Sequence, residues 1–181
     1  MATFQSGVQN VNANSYRPMY AVSAEHENTL TAANFADSSG DALTPRIAAD
    51  TLRVGDLYEY HAFVRVMDNN STDTLTLLFR AFDQTTQRTI YAPAAFDAAD
   101  DDLVYLHGFI TVHAVGTSGV LYFNGSTNEI KAGTATSLPI VASLSLDTTA
   151  NIDFNVNADW SVAHADNEAR LDQFIIRKCN V

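Results

Sequence analysis

One stretch constrains this chain more than any other: Ile152-Asp153-Phe154-Asn155-Val156-Asn157-Ala158-Asp159-Trp160. Every even position is apolar or small, and every odd position is Asp or Asn. A period of two belongs to a β-strand, whose successive side chains point to opposite faces; a helix would need spacings of three and four. The pattern predicts a strand with one face in a core and the other in water. On that expectation Val156→Asp buries an unpaired charge and unfolds the domain, while Asn155→Asp is tolerated.

The same period recurs along the chain. In 56–66, Tyr58, Tyr60, Ala62, Val64 and Val66 share one face and Glu59, His61 and Arg65 the other. Asp68-Asn69-Asn70-Ser71-Thr72-Asp73 is dense in turn formers, and Leu75, Leu77 and Phe79 then line one face of 74–82, so the pair predicts a hairpin. Arg88–Tyr91 and Leu103–Val115 follow, the latter with Leu106, Gly108, Ile110, Val112 and Ala114 inward and His107, Thr111 and His113 outward. Gly116-Thr117-Ser118-Gly119 turns into Val120–Phe123, and Asn124-Gly125 predicts a further turn. Pro139–Leu146 precedes the alternating strand, and Leu171–Arg177 closes the chain. About eight strands, frequent turn signals and no helical period predict an all-β fold of two antiparallel sheets packed face to face.

At 181 residues, 46% hydrophobic and 17% charged, with a mean hydropathy of -0.06, the chain suits one folded domain with a sizeable core. Residues 1–45 differ: they are rich in Asn, Ser and Ala and hold a single basic residue, Arg17. They predict an extended N-terminal arm ahead of a sandwich domain spanning 46–181. Ten Lys+Arg against 21 Asp+Glu give a net charge of -11, which repels nucleic acid and anionic membranes and suits a surface bearing exposed Lys or Arg. Met1–Gly7 has neither the basic start nor the apolar run of a secretion signal. Cys179 is the only cysteine, which excludes an intrachain disulfide and fits folding in a reducing cytoplasm.

Candidate chemistry is sparse. Of five histidines, His61, His107 and His113 lie on outward positions, and a zinc site would need them to converge on one sheet face. Asp68–Asp73 and Asp97–Asp102 carry oxygen ligands suited to calcium, but neither has the glycine and terminal Glu of an EF-hand loop; a turn and a solvated acidic loop are expected. No orienting histidine lies beside Cys179 in sequence, and no nucleophile elbow, phosphate-cradling loop or dinucleotide fingerprint occurs. The expectation is a non-enzymatic chain with no catalytic, cofactor-binding or metal-binding residues. Trp160, with Phe154 and Val156, belongs to the core, whereas Tyr105, Tyr122 and Phe123, where exposed, would form a contact patch for a neighbouring subunit.

Three segments carry a resemblance. Ala48-Ala49-Asp50-Thr51-Leu52-Arg53-Val54-Gly55-Asp56, Ile110–Gly119, and Asp147-Thr148-Thr149 with Val156–Ser161, Asn167 and Leu171-Asp172-Gln173-Phe174 resemble jelly-roll virion proteins of tailed bacteriophages, over about residues 43–178. The resemblance implies a jelly-roll sandwich on the virion, made in the host cytoplasm. It would act as a capsid decoration or cement protein that binds the major capsid protein and clamps neighbouring capsomers, commonly as a homotrimer. The other implied role is a tail or head fibre domain that binds a host receptor or glycan. The acidic surface, the loop 94–102 and the arm depart from the group's pattern and bear on how it would attach.

Overall fold

A computed structural model describes residues 44–69, 72–131, 134–164 and 166–179 in full, and the backbone of three short strands before them. Those three are β1 (Gln9–Asn10), β2 (Glu25–Glu27) and β3 (Ala33–Asn34). The rest of the expected arm lies outside the described residues. There follow β4 (Pro45–Ile47), β5 (Leu57–Asp68), β6 (Thr74–Phe82), β7 (Gln87–Tyr91) and β8 (Phe96–Asp97). β9 (Leu103–Ala114), β10 (Gly119–Lys131), β11 (Thr134–Leu146), β12 (Ile152–Trp160) and β13 (Glu168–Lys178) complete the chain. No helix among the described residues is long and apolar enough to cross a membrane.

The fold is all-β, two sheets with their apolar faces together. One has the order β1-β4-β12-β6-β7, with β3 also on β12 and β8 on β6; the other runs β11-β10-β9-β5-β13-β2. All pairs are antiparallel except β1 with β4. The inward residues read from alternation are buried: Tyr58, Tyr60, Ala62, Val64 and Val66 on β5, Leu75, Leu77 and Phe79 on β6, Leu106, Ile110 and Val112 on β9. Phe79 is the hub of the core, within 5.0 Å of Tyr60, 6.2 Å of Phe123 and 6.0 Å of Phe174, so one ring from the first sheet meets three from the second. Burying a side chain of that size stabilises the fold by about 3 kcal/mol. Trp160 is 1% exposed, in the core as expected.

Three expectations are corrected. β5 and β6 do not form a hairpin: β5 pairs with β9 and β13, and β6 with β12, β7 and β8, so the two strands belong to different sheets. Both strands carry one apolar face, and either a hairpin or a crossover satisfies that pattern. Asn124-Gly125 is not a turn but the middle of β10, where Gly125 lies opposite Gly108 on one side and Ile140 on the other. The odd face of β12 is not wet: Asp153 is 8%, Asn155 5% and Asn157 2% exposed. Asp153 is held by Arg46, at 2.5 and 2.8 Å, and by Gln84 at 2.9 Å, so its polarity serves an ion pair and not water.

Candidate functional site

The outer face of the six-stranded sheet gathers the outward side chains of β5, β9, β10, β11 and β13. Register puts His61 opposite His107, Phe63 opposite Tyr105 and Glu59 opposite Phe109, with His107 facing Ser126 and Phe109 facing Asn124 across the next pair. The rings stack into a ladder: Phe63 on Tyr105 at 4.2 Å, Tyr105 on His107 at 4.8 Å, and His61 on His107 at 6.4 Å. At one end His113 meets Tyr122 edge-on at 5.2 Å. All three outward histidines of the sequence therefore share one face.

A hydrogen-bonded chain fixes the ladder. His61 Nε2 lies 2.8 Å from Glu59 Oε1, so Nε2–H donates to the carboxylate and Nδ1 is left to accept from the Tyr105 hydroxyl. Arg177 binds the other oxygen of Glu59. Partial burial alone would raise Glu59, but the hydrogen bonds from His61 and Arg177 outweigh it and hold the carboxyl below its usual range. Burial, with Glu59 nearby, pushes the Tyr105 phenol up, so it stays protonated and acts as a donor. His107 Nε2 accepts from Ser126 Oγ at 2.9 Å and Asn128 Nδ2 at 3.2 Å. These bonds occupy both ring nitrogens of His61 and Nε2 of His107 and hold the rings in place on the face.

The face also carries exposed apolar area. Phe109 is 46%, Tyr122 44%, Ile130 40% and Val141 80% exposed, while Phe123, grouped with the tyrosines on sequence, is 1% exposed and belongs to the core. Its charges nearly cancel: Glu59 and Asp172 face Arg65, Arg170 and Arg177, and Asp172 bonds both Arg170 at 2.5 Å and Arg65 at 3.3 Å. Glu168 shares this face with Arg170, so the outward charges of β5 and β13 offset one another on a chain of net charge -11, and most of the acid lies elsewhere.

The two acidic segments singled out for calcium come together at one end of the sandwich. Asn69, Asp97, Asp100, Asp102 and Lys131 line an open cleft of about 560 Å3. Most carboxylates whose partners are seen serve the backbone or neighbouring side chains: Asp102 accepts from Ala99 N at 2.9 Å, Asp68 from Asn69 N at 2.9 Å, and Asp73 from Asn167 Nδ2 at 2.8 Å. Among the described residues no group of three or more His, Cys, Asp or Glu is arranged to hold a metal ion. Cys179 is exposed beside Leu57, and partial burial together with Glu59 pushes its thiol up, away from the reactive thiolate.

Parts of the segments that carry the resemblance, 48–56, the end of 110–119 and 147–149, meet at one place, while Ser161 and Asn167 bond Thr74 and Asp73 elsewhere. Thr148 N donates to Gly116 O at 3.0 Å, Gly116 N donates to the Thr148 hydroxyl at 2.7 Å, and Asp50 N donates to Thr148 O at 3.2 Å. Gly55 N and Val112 N bond Val112 O and Asp56 O at 2.9 Å each. The 48–56 loop, the β9–β10 turn and the β11–β12 turn thus form one hydrogen-bonded end of the sandwich. No protein-family model and no curated protein matches the chain.

Proposed function

We propose that the chain is a non-enzymatic structural module of the virion, a decoration or cement protein that docks on the exterior of an assembled capsid through the outer face of its six-stranded sheet. The observation that carries docking is that face: aromatic, with exposed apolar area, and nearly charge-neutral on a strongly acidic molecule. The capsid as partner rests on the resemblance, and the meeting of 48–56, Gly116 and Thr148 supports reading those parts of it as one scaffold. Strand order supports the jelly-roll reading. With β2, β4, β5, β6, β7, β9, β12 and β13 taken as eight strands, the orders β2-β13-β5-β9 and β4-β12-β6-β7 are those of the two sheets of a jelly roll, and β10 and β11 extend one edge.

A module that binds the assembled lattice and not free capsid subunits stabilises the lattice by mass action. The test is to mix the purified protein with capsids that lack it and to compare their resistance to heat and to chelator. Bound protein and more resistant capsids are expected; no binding and no stabilisation would overturn the proposal. The alternative, a tail or head fibre domain for a host receptor or glycan, calls for exposed aromatics at one loop end. Here Phe109 and Tyr122 stand in mid-strand on a sheet face, which favours docking onto a broad surface.

A further inference from the structure

We propose that β11 is a self-pairing edge, through which two copies of the chain join antiparallel into one continuous sheet. β11 ends the six-stranded sheet: it pairs with β10 from Gly119↔Leu146 to Lys131↔Thr134 without a register shift, and although β7 of the other sheet packs near β11, among the described residues no strand is hydrogen-bonded to its other side. It is 13 residues long and holds no ionisable side chain. Thr134–Pro139 are all exposed, and Val141, at 80%, is the most exposed large hydrophobic residue described.

A strand edge left in water presents a row of unpaired N–H and C=O groups. Proteins that keep such an edge free make it short, charge it, bulge it or cover it. The other edges follow that rule: the far edge of the same sheet is the short β2, and the first sheet ends at β7, which has 5 residues and exposes Arg88. β11 uses only Pro139, which removes a single donor and leaves Ile140–Leu146 continuous.

The charge argues for a second copy as occupant. Two chains of net charge -11 repel on most approaches, but an uncharged strand lets their backbones meet. An antiparallel strand pair about a two-fold axis is self-complementary. Centring it on Ser143, the midpoint of Ile140–Leu146, lays each Val141 beside the partner's Ser145 and covers the exposed valine. The proposal stands apart from the capsid reading, since it concerns the purified chain alone.

The experiment is sedimentation equilibrium of the full chain over a dilution series, repeated for Val141→Lys and Ser143→Arg. Both substitutions place a like charge near the two-fold axis on an exposed side chain, so thermal unfolding of each variant checks that the fold is intact. A dimer that dissociates on dilution is expected, with dissociation constants raised about tenfold or more in both variants. Ser143→Cys in a Cys179→Ser background should form an intermolecular disulfide on mild oxidation, because residues paired on the axis lie within disulfide reach. A monomer at every concentration, a trimer, or a dimer unchanged by both charges would overturn the proposal.

Discussion

Gly108 and Gly125 face each other across β9 and β10, and the Tyr60 hydroxyl lies against the pair. A Cβ on Gly108 would stand 2.6 Å from Gly125 Cα and 2.7 Å from Tyr60 Oη; one on Gly125 would stand 2.7 Å from Gly108 Cα and 2.6 Å from Tyr60 Oη. Backbone blocks the way in both cases, so Gly125→Ala is expected to cost about 1–3 kcal/mol, measured by chemical denaturation. Tyr60 Oη is buried with no hydrogen-bond partner among the described residues, so Tyr60→Phe is expected to be neutral or stabilising by up to about 1 kcal/mol. A Tyr60→Phe variant that loses more than that would show the hydroxyl to be satisfied in solution.

The buried odd face of β12 reverses the expectation for Asn155. Its side chain is 5% exposed and Oδ1 finds no hydrogen-bond partner among the described residues, so Asn155→Asp buries a charge whose cross-strand cation, Arg80 on β6, already bonds Gln87. Val156→Asp is expected to abolish folding, and Asn155→Asp to cost about 2–4 kcal/mol at neutral pH. Burial raises the folded pKa of the introduced carboxyl, so the penalty is absent below the unfolded pKa and grows as pH rises through the folded one. Urea melts of Asn155→Asp at acid and neutral pH check this; equal stability to wild type at neutral pH would return the face to water.

What the sequence shows and hides follows from the range of each interaction. Alternation in β5, β6, β9 and β12 marks the inward residues because one face of every strand must reach the core. Whether Asp68–Asp73 turns the chain back or sends it to the other sheet depends on distant partners, β9 and β13 for one strand and β12 for the next. Asn124-Gly125 has turn-forming residues, yet its glycine serves the approach of Tyr60. Asp153 reads as solvated because Arg46, its counter-ion, lies 107 residues away. The proposed docking face was half legible: the outward parity of His61, His107 and His113 is local, while the stacking of His61 and His107 with Tyr105 depends on the register of β5 with β9, and His113 meets Tyr122 of β10.

Asp83 ties two turns together and contributes to the acid limb of stability. Burial alone would raise its carboxyl, but donors from Asp147 N, the Thr85 hydroxyl, Thr86 N and Thr85 N outweigh it and bring the pKa down to about 2. A folded pKa below the unfolded value of 3.8 contributes stability that is present above 3.8 and lost as pH falls towards about 2. The contribution is about 2 kcal/mol. Wild type is expected to lose that much across this window, and Asp83→Asn, less stable at neutral pH, to show a flatter acid limb. Parallel slopes in the two proteins would assign the acid loss to other carboxylates.

The proposed docking face is testable by substitutions that leave the core alone. Phe109 and Tyr122 are 46% and 44% exposed and stand on the outer side of β9 and β10, so replacing either by Asp costs the isolated domain little, within about 1 kcal/mol. On a capsid surface the same changes put an unpaired charge where aromatic area would be buried, and hot spots of this kind are worth about 2 kcal/mol or more. The double variant Phe109→Asp, Tyr122→Asp is therefore expected to melt near the wild-type temperature yet bind capsids about thirtyfold more weakly. A matched control, Val54→Asp, alters a residue that is 66% exposed on the β4–β5 loop and should bind as wild type does. If the control loses as much affinity as the double variant, the loop end and not the sheet face makes the contact.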